Sequence, residues 1–211
     1  MSSTTPNSDP RHDAHRIVVL VGNPRPRSRT ASAARATAAA LVATLDDASA
    51  DTSPSECGPA GGDSPGAAIT EVELIDLALL GAELLDESSD AVQTVVATVS
   101  SASVLVVATP TYKGTYTGLL KVLLDHLPGR ALDGTRAAVV TVSKAPEHRL
   151  GAAAALEPVL VELGATVPAP ALTLVEDDLD RVDEVALSWA VHHGDRFGPV
   201  TDAQAPAGAA R

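Results

Sequence analysis

Residues 17–21 read Ile-Val-Val-Leu-Val, and Gly22 ends this run of consecutive aliphatic residues. A continuous, largely β-branched run is typical of a strand that is buried on both faces. Such strands occur in parallel sheets covered by helices, because the connection between two parallel strands has to cross over the sheet. The run therefore predicts an α/β fold with this segment as its first strand.

Strand patterns and helix patterns alternate along the rest of the chain. After a first strand at 16–22, we predict strands at 69–77, 103–108, 136–142 and 171–175. We predict helices from Ser28 or Thr30 to Leu45 and at 89–100, 115–127, 146–163 and 179–193. Alternation of this kind predicts βαβ units with parallel strands and helices on both faces. Five strands fit a three-layer flavodoxin-like sandwich.

The length of 211 residues fits one domain, which we place at 16–200. Residues 1–15 and 201–211 lack hydrophobic periodicity and are expected to be disordered tails. Residues 46–68 are rich in Ser, Asp, Pro, Gly and Ala, and we expect them to form a mobile insertion.

Charge and composition exclude several classes of function. The formal net charge of −12 argues against binding to nucleic acid, which requires a basic face. No apolar stretch approaches the roughly 20 residues of a membrane span, and the N-terminus has no apolar signal core. We therefore expect a cytoplasmic protein. A single cysteine, Cys57, excludes an internal disulfide and a multi-cysteine metal site, so no metal is expected.

The loop after the first strand concentrates basic residues in an acidic protein. Three of the fifteen lysines and arginines lie within five positions, beside hydroxyl groups and before a predicted helix. Helix N-termini and arginine side chains bind phosphate, so the loop predicts an anion pocket. The alternative is a solvated turn with a good helix cap. The loop lacks G-x-G-x-x-G and the lysine of a P-loop.

The loop after the third strand holds two of the four aromatic residues of the chain, Tyr112 and Tyr116. Pro110 fixes the direction of the chain and Gly114 permits close approach of the backbone. The tyrosines offer flat faces to a ring, although they could instead cap the core above a turn. In a flavodoxin-like sheet this loop neighbours the arginine-rich loop at the point where the strand order reverses, which is where ligands bind.

These two loops resemble those of the NAD(P)H-dependent FMN reductases of flavodoxin-like fold. The shared motifs are G-x-P-R-x-x-S-R-[ST] at 22–30 and T-P-x-Y-K-x-x-Y-x-G-x-L-K-x-x-L-D at 109–125. Residues 127–132 and 148–158 continue the likeness. It is strongest to the reductases that supply flavin to alkanesulfonate-type two-component monooxygenases.

The resemblance implies FMN and NAD(P)H as the nucleotides. It places the flavin phosphate on Asn23, Arg25, Ser28, Arg29 and Thr30, with Asn23 at a position where the family commonly has serine. It places the ring against Pro110, Thr111, Tyr112, Lys113 and Gly114. Tyr116 matches a tyrosine that lies on a π-helical insertion at the subunit interface of the sulfonate-type enzymes, and is implied to gate flavin exchange. A homodimer or a homotetramer is also implied.

One departure concerns the loop after the fourth strand, where the family has Thr-Gly-Gly and this chain has Val142-Ser143-Lys144. Ser143 and Lys144 are included among the flavin contacts. Lysine requires more space than glycine and can require a different backbone conformation. Either Lys144 lines the edge of the flavin ring and stabilises its negative charge on reduction, or it points to solvent from a displaced loop.

We expect hydride transfer from nicotinamide to FMN without a catalytic side chain, with reduced flavin delivered to a partner monooxygenase. One alternative is a reductase that keeps FMN as a prosthetic group and reduces quinones, azo compounds or metal oxyanions. Another is a flavodoxin-like electron carrier without enzymatic activity.

Overall fold

A computed structural model describes residues 15–50 and 69–198. Five parallel strands form one sheet in the order β2-β1-β3-β4-β5. The strands are β1 His15–Val21, β2 Ile69–Asp76, β3 Val104–Pro110, β4 Arg136–Ser143 and β5 Leu172–Val175. The chain passes from β1 to β2 on one side and returns to β3 on the other, so the strand order reverses beside β1. The predicted flavodoxin-like sheet is confirmed.

Within the described residues, five α-helices cover the two faces of the sheet. They are α1 Arg29–Ala50, α2 Asp90–Ser100, α3 Gly118–His126, α4 Gly151–Glu162 and α5 Val182–His193. Alternate residues of β1 enter opposite cores: Ile17 and Val19 pack with α1 and α5, whereas Val18 and Leu20 pack with α2, α3 and α4. This division explains why β1 and β3 are aliphatic at nearly every position.

Several predicted boundaries differ from those of the structure. Helix α1 continues to Ala50 rather than ending at Leu45. Helix α4 begins at Gly151 because a separate 3₁₀ turn occupies Pro146–His148. The first three residues of the last predicted helix, 179–193, belong to the 3₁₀ segment Glu176–Arg181, and helix α5 starts at Val182.

The predicted tails and most of the predicted insertion lie outside the described residues, apart from His15 in β1 and 46–50 in α1. Within the ranges 15–50 and 69–198, no helix combines the length and the apolar character needed to cross a membrane.

Candidate functional site

A cavity of about 820 Å³ opens at the carboxyl ends of β1, β3 and β4. Eleven of the twelve predicted contact residues line it, and Gly114 is the exception. The sequence interpretation missed five further lining residues: Pro26, Arg27, Val142, Glu176 and Leu179. The two predicted loops therefore meet at one cavity, at the point of the sheet where the strand order reverses.

The wall formed by residues 23–30 presents the N-terminus of α1 to the cavity. Ser28 caps this helix, since its Oγ accepts from Ala31 N at 3.2 Å and its carbonyl accepts from Ala31 and Ser32. The backbone N–H groups of Arg29 and Thr30 have no hydrogen-bond acceptor in the part of the chain that the structure describes. Free N–H groups at the positive end of a helix dipole form an anion site.

The buried side chains of Asn23 and Thr30 stabilise this loop. The two side chains are 7% and 2% exposed, and Asn23 Nδ2 donates to Thr30 Oγ1 at 2.9 Å. Asn23 Oδ1 accepts from the backbone N–H of Arg25 at 2.9 Å. The side-chain amide of Asn23, which the resemblance assigned to phosphate binding, therefore stabilises the loop itself.

A carboxylate from the neighbouring strand fixes the middle of the loop. Arg27 has a left-handed backbone with φ of 52°, which is unfavourable for a residue other than glycine. Its N–H donates to Asp76 Oδ2 at 3.0 Å, and Asp76 lies beside Val21 at the end of β2. Asp76 is 7% exposed. Asp76 was not among the predicted site residues, and the only signal for it in the sequence was an acidic residue at the end of a predicted strand.

The second wall, residues 110–115, contains a tight turn. Tyr112 and Thr115 exchange backbone hydrogen bonds at 2.8 and 3.1 Å around Lys113 and Gly114, whose φ values are 54° and 82°. Two consecutive positive φ angles define a type I′ turn, in which glycine is favoured. A Cβ atom on Gly151 would lie 2.3 Å from the carbonyl oxygen of Gly114, so the start of α4 packs directly on this turn. Gly114 therefore shapes the wall without lining the cavity.

Thr111 places an unpaired hydroxyl in this wall. Its N–H donates to the carbonyl of Val142 at 2.7 Å, which fixes the loop to β4. Its Oγ1 is buried and has no hydrogen-bond partner among the described residues. A buried polar atom without a partner is costly, so this hydroxyl is available to a polar atom of a ligand.

Tyr116 is not on a π-helical insertion. It lies before α3, which begins at Gly118 after the N-cap Thr117, and every residue of α3 is α-helical. The helix predicted from Thr115 starts three residues later, because Thr115 closes the turn at 112–115 and Thr117 is the N-cap. Tyr116 is half-buried against the core beneath α3. The pKa of nearby Lys121 is raised by its hydrogen bond to Asp125.

Thr117 joins the two walls. Its Oγ1 donates to the carbonyl of Gly22, where the basic loop begins, and accepts from Leu120 N at 3.2 Å. Its own N–H donates to Thr109 Oγ1 at 3.2 Å. Thr117 is 2% exposed. Because one buried side chain bonds both loops, their spacing across the cavity is fixed.

The third wall comes from the ends of β4 and β5. Ser143 is 2% exposed and its hydroxyl bonds to the carbonyls of Ala145 and Leu174. Lys144 is exposed, lines the cavity and has an ordinary backbone conformation, since the described non-glycine residues with positive φ are Arg27, Lys113 and Arg130. The lysine therefore does not require the conformational freedom of glycine.

The segment 176–181 closes this wall and is tied to the basic loop. Arg29 Nη2 donates to the carbonyl of Glu176 at 2.9 Å and lies 3.6 Å from the Asp180 carboxylate. Arg149 donates to the carbonyl of Thr173 in β5 at 2.8 Å.

Within the described ranges, no group of three His, Cys, Asp or Glu side chains is placed to hold a metal ion.

Comparison with known proteins gives a family match over most of the chain. Residues 15–178 match the family described as NADPH-dependent FMN reductase. An FMN reductase (NADPH) of Escherichia coli is 43% identical over 77 residues, which are 36% of this chain and 40% of that protein. One of Pseudomonas putida is 42% identical over 67 residues, 32% of this chain and 34% of that protein. The aligned segments thus span less than half of these relatives.

Solved structures match over a longer span. An NADH:FMN oxidoreductase in its apo form has 26% identity and a TM-score of 0.63, covering 85% of this chain and 90% of that one. An oxidoreductase of Corynebacterium diphtheriae, at 22% identity and a TM-score of 0.65, covers 87% and 98% and shows the shared fold.

Proposed function

Because this chain belongs to the NADPH-dependent FMN reductase family, we propose that it is an NAD(P)H:FMN oxidoreductase. The observation that carries the proposal is the cavity between a basic helix N-terminus and the loop 110–113, whose lining residues except Leu179 lie inside the segment that matches the family. The cavity volume of about 820 Å³ is within the range of small-molecule and cofactor sites.

The residues around the cavity fit FMN. The free N–H groups of Arg29 and Thr30, with the side chains of Arg25 and Ser28, form a donor set suited to a phosphate dianion. The unpaired buried hydroxyl of Thr111 offers a hydrogen bond to a polar edge of the ring. One pole of the cavity is thus anion-binding, and the other combines apolar and polar groups as an aromatic heterocycle requires.

When bound, FMN supplies the atom that accepts hydride from a reduced nicotinamide, and the protein supplies orientation. The chain would hold the phosphate at the N-terminus of α1, and Pro110 to Lys113 would support the ring. Tyr112, which is 43% exposed, gives the mouth of the cavity an apolar face that a nicotinamide ring can approach. No side chain has to exchange a proton for the hydride to move.

We also propose that the reduced flavin leaves to serve a partner monooxygenase of the two-component, alkanesulfonate type. The motif at 109–125 supports this assignment. Tyr116 lies outside any π-helix, so the proposed gate for flavin exchange would act from the loop before α3. The names of the two relatives, in which FMN is the substrate, are consistent with it.

We also propose that the protein forms a homo-oligomer through the surface on the α3 side of the molecule. Two 3₁₀ turns, Leu77–Leu79 and Gly81–Leu85, pack beside α3, and on them Leu79 and Leu85 are 73% and 74% exposed. Large apolar side chains exposed on this side of the molecule favour an interface. Light scattering on the wild type and on Leu79→Glu/Leu85→Glu should give an oligomer and a monomer respectively. A wild-type monomer at micromolar concentration would remove this part of the proposal.

Steady-state NADPH oxidation separates the candidate functions. The purified protein should be colourless after dialysis and should oxidise NADPH only when FMN is added. A protein that stays yellow and needs a quinone, azo dye or metal oxyanion would be the prosthetic-FMN reductase. Absence of NADPH and NADH oxidation with every flavin and acceptor would leave the electron carrier and refute the enzyme assignment.

A further inference from the structure

The cavity has an excess of positive charge. Its lining includes five of the fifteen lysines and arginines of the chain and, among the described residues, one carboxylate, that of Glu176. The lining cations are Arg25, Arg27, Arg29, Lys113 and Lys144. A phosphate dianion at the N-terminus of α1 accounts for the arginines of the basic loop. It does not account for a lysine on the opposite wall.

Lys144 lies across the cavity from the N-terminus of α1, where the phosphate would bind. It follows β4, and the basic loop follows β1, with β3 between the two strands. Two strand spacings are about 10 Å, roughly the length of a fused three-ring heterocycle. The side chain makes no ion pair or hydrogen bond within the described part of the chain. Its charge is therefore available at the end of the cavity that would hold the ring.

We propose that Lys144 favours reduced over oxidised FMN by stabilising the negative charge that the ring gains with a hydride. This inference rests on the proposed function, because it requires FMN in this cavity. The oxidised ring is neutral, so the lysine contributes little to its binding, whereas the anionic reduced ring attracts an ammonium group. The lysine thereby raises the reduction potential of bound FMN.

The expected size of the effect is modest because the side chain is exposed. Water screens a charge pair at an exposed site, and added salt weakens it further. We expect the ratio of FMN affinities, reduced over oxidised, to fall about twofold to fivefold on neutralisation of Lys144. A tenfold change in this ratio corresponds to about 30 mV for a two-electron couple. Glu176, on the same wall, opposes the lysine and limits the effect.

The test compares Lys144→Gln, Lys144→Arg and Lys121→Gln in the full-length protein. Lys121 is a matched control, since it is paired with Asp125 and does not line the cavity. The dissociation constant of oxidised FMN is measured by quenching of flavin fluorescence, and the midpoint potential of bound FMN by anaerobic titration against a reference dye. Neither measurement depends on turnover.

We expect Lys144→Gln to change the affinity for oxidised FMN less than twofold and to lower the potential, with the shift shrinking at high salt. Lys144→Arg and Lys121→Gln should keep the wild-type potential. An unchanged potential in Lys144→Gln, with FMN still bound, would overturn this inference alone. Failure of the wild type to bind FMN would overturn it together with the proposed function.

Discussion

Replacing Thr117 with valine should lower the free energy of unfolding by about 2–4 kcal/mol. The substitution preserves the shape of the side chain, so it creates no cavity, but it removes the hydroxyl that caps α3 and bonds to Gly22. Loss of an N-cap costs about 1 kcal/mol. The carbonyl of Gly22 then loses its donor at a site that is 2% exposed, which costs about 1–3 kcal/mol more.

The measurement is urea denaturation at 25 °C, with the slope checked so that a change in midpoint reports stability. Thr117→Ser keeps the hydroxyl and loses one methyl group, so it should cost about 1 kcal/mol or less. Because Thr117 fixes the spacing of the two loops, valine should also weaken FMN binding more than serine does. A valine variant within about 0.5 kcal/mol of wild type would show that the reasoning about this bridge is wrong.

Two further substitutions, Gly22→Ala and Asp76→Ala, test the packing of the basic loop, and Gly118→Ala is the control for the first. A Cβ on Gly22 would lie 2.6 Å from Leu120 Cβ, so Gly22→Ala should cost about 1–3 kcal/mol in urea denaturation. A Cβ on Gly118 would have no atom within 4 Å, and Gly118 is in a helix, so Gly118→Ala should be neutral or slightly stabilising. Equal changes in the free energy of unfolding for the two alanine variants would contradict the clash at Gly22. Asp76→Ala removes the acceptor for Arg27 N–H and should destabilise by about 1–3 kcal/mol while raising the FMN dissociation constant. Unchanged FMN affinity in that variant would show that the carboxylate does not shape the loop.

The sheet and both main walls of the cavity could be predicted because their signals are local in the sequence. The aliphatic runs at Ile17–Val21 and Val104–Ala108 identify the central strands. In a parallel sheet, the loops that follow neighbouring strands lie at the same edge, so predicting the strands also brought the two loops together. Ser28, a helix cap immediately before α1, could be recognised for the same reason.

The features that were missed depend on contacts between distant residues. Asp76 reaches Arg27 only because β2 pairs with β1, and no spacing in the sequence records that neighbour. Glu176 and Leu179 enter the cavity because the segment after β5 folds back onto Arg29. The start of α3 was predicted three residues too early because Thr115 closes the type I′ turn by pairing with Tyr112, and the helix begins only after its N-cap Thr117.

The central claim is a reductase that recognises FMN through its phosphate, and the most direct test compares FMN with riboflavin, which lacks that group. NADPH oxidation is followed at increasing concentrations of each flavin. Two lost hydrogen bonds to a charged group are worth about 3–6 kcal/mol, so we predict a KM for riboflavin at least about a hundredfold above that for FMN. Equal KM values, or no NADPH oxidation with either flavin, would contradict the account.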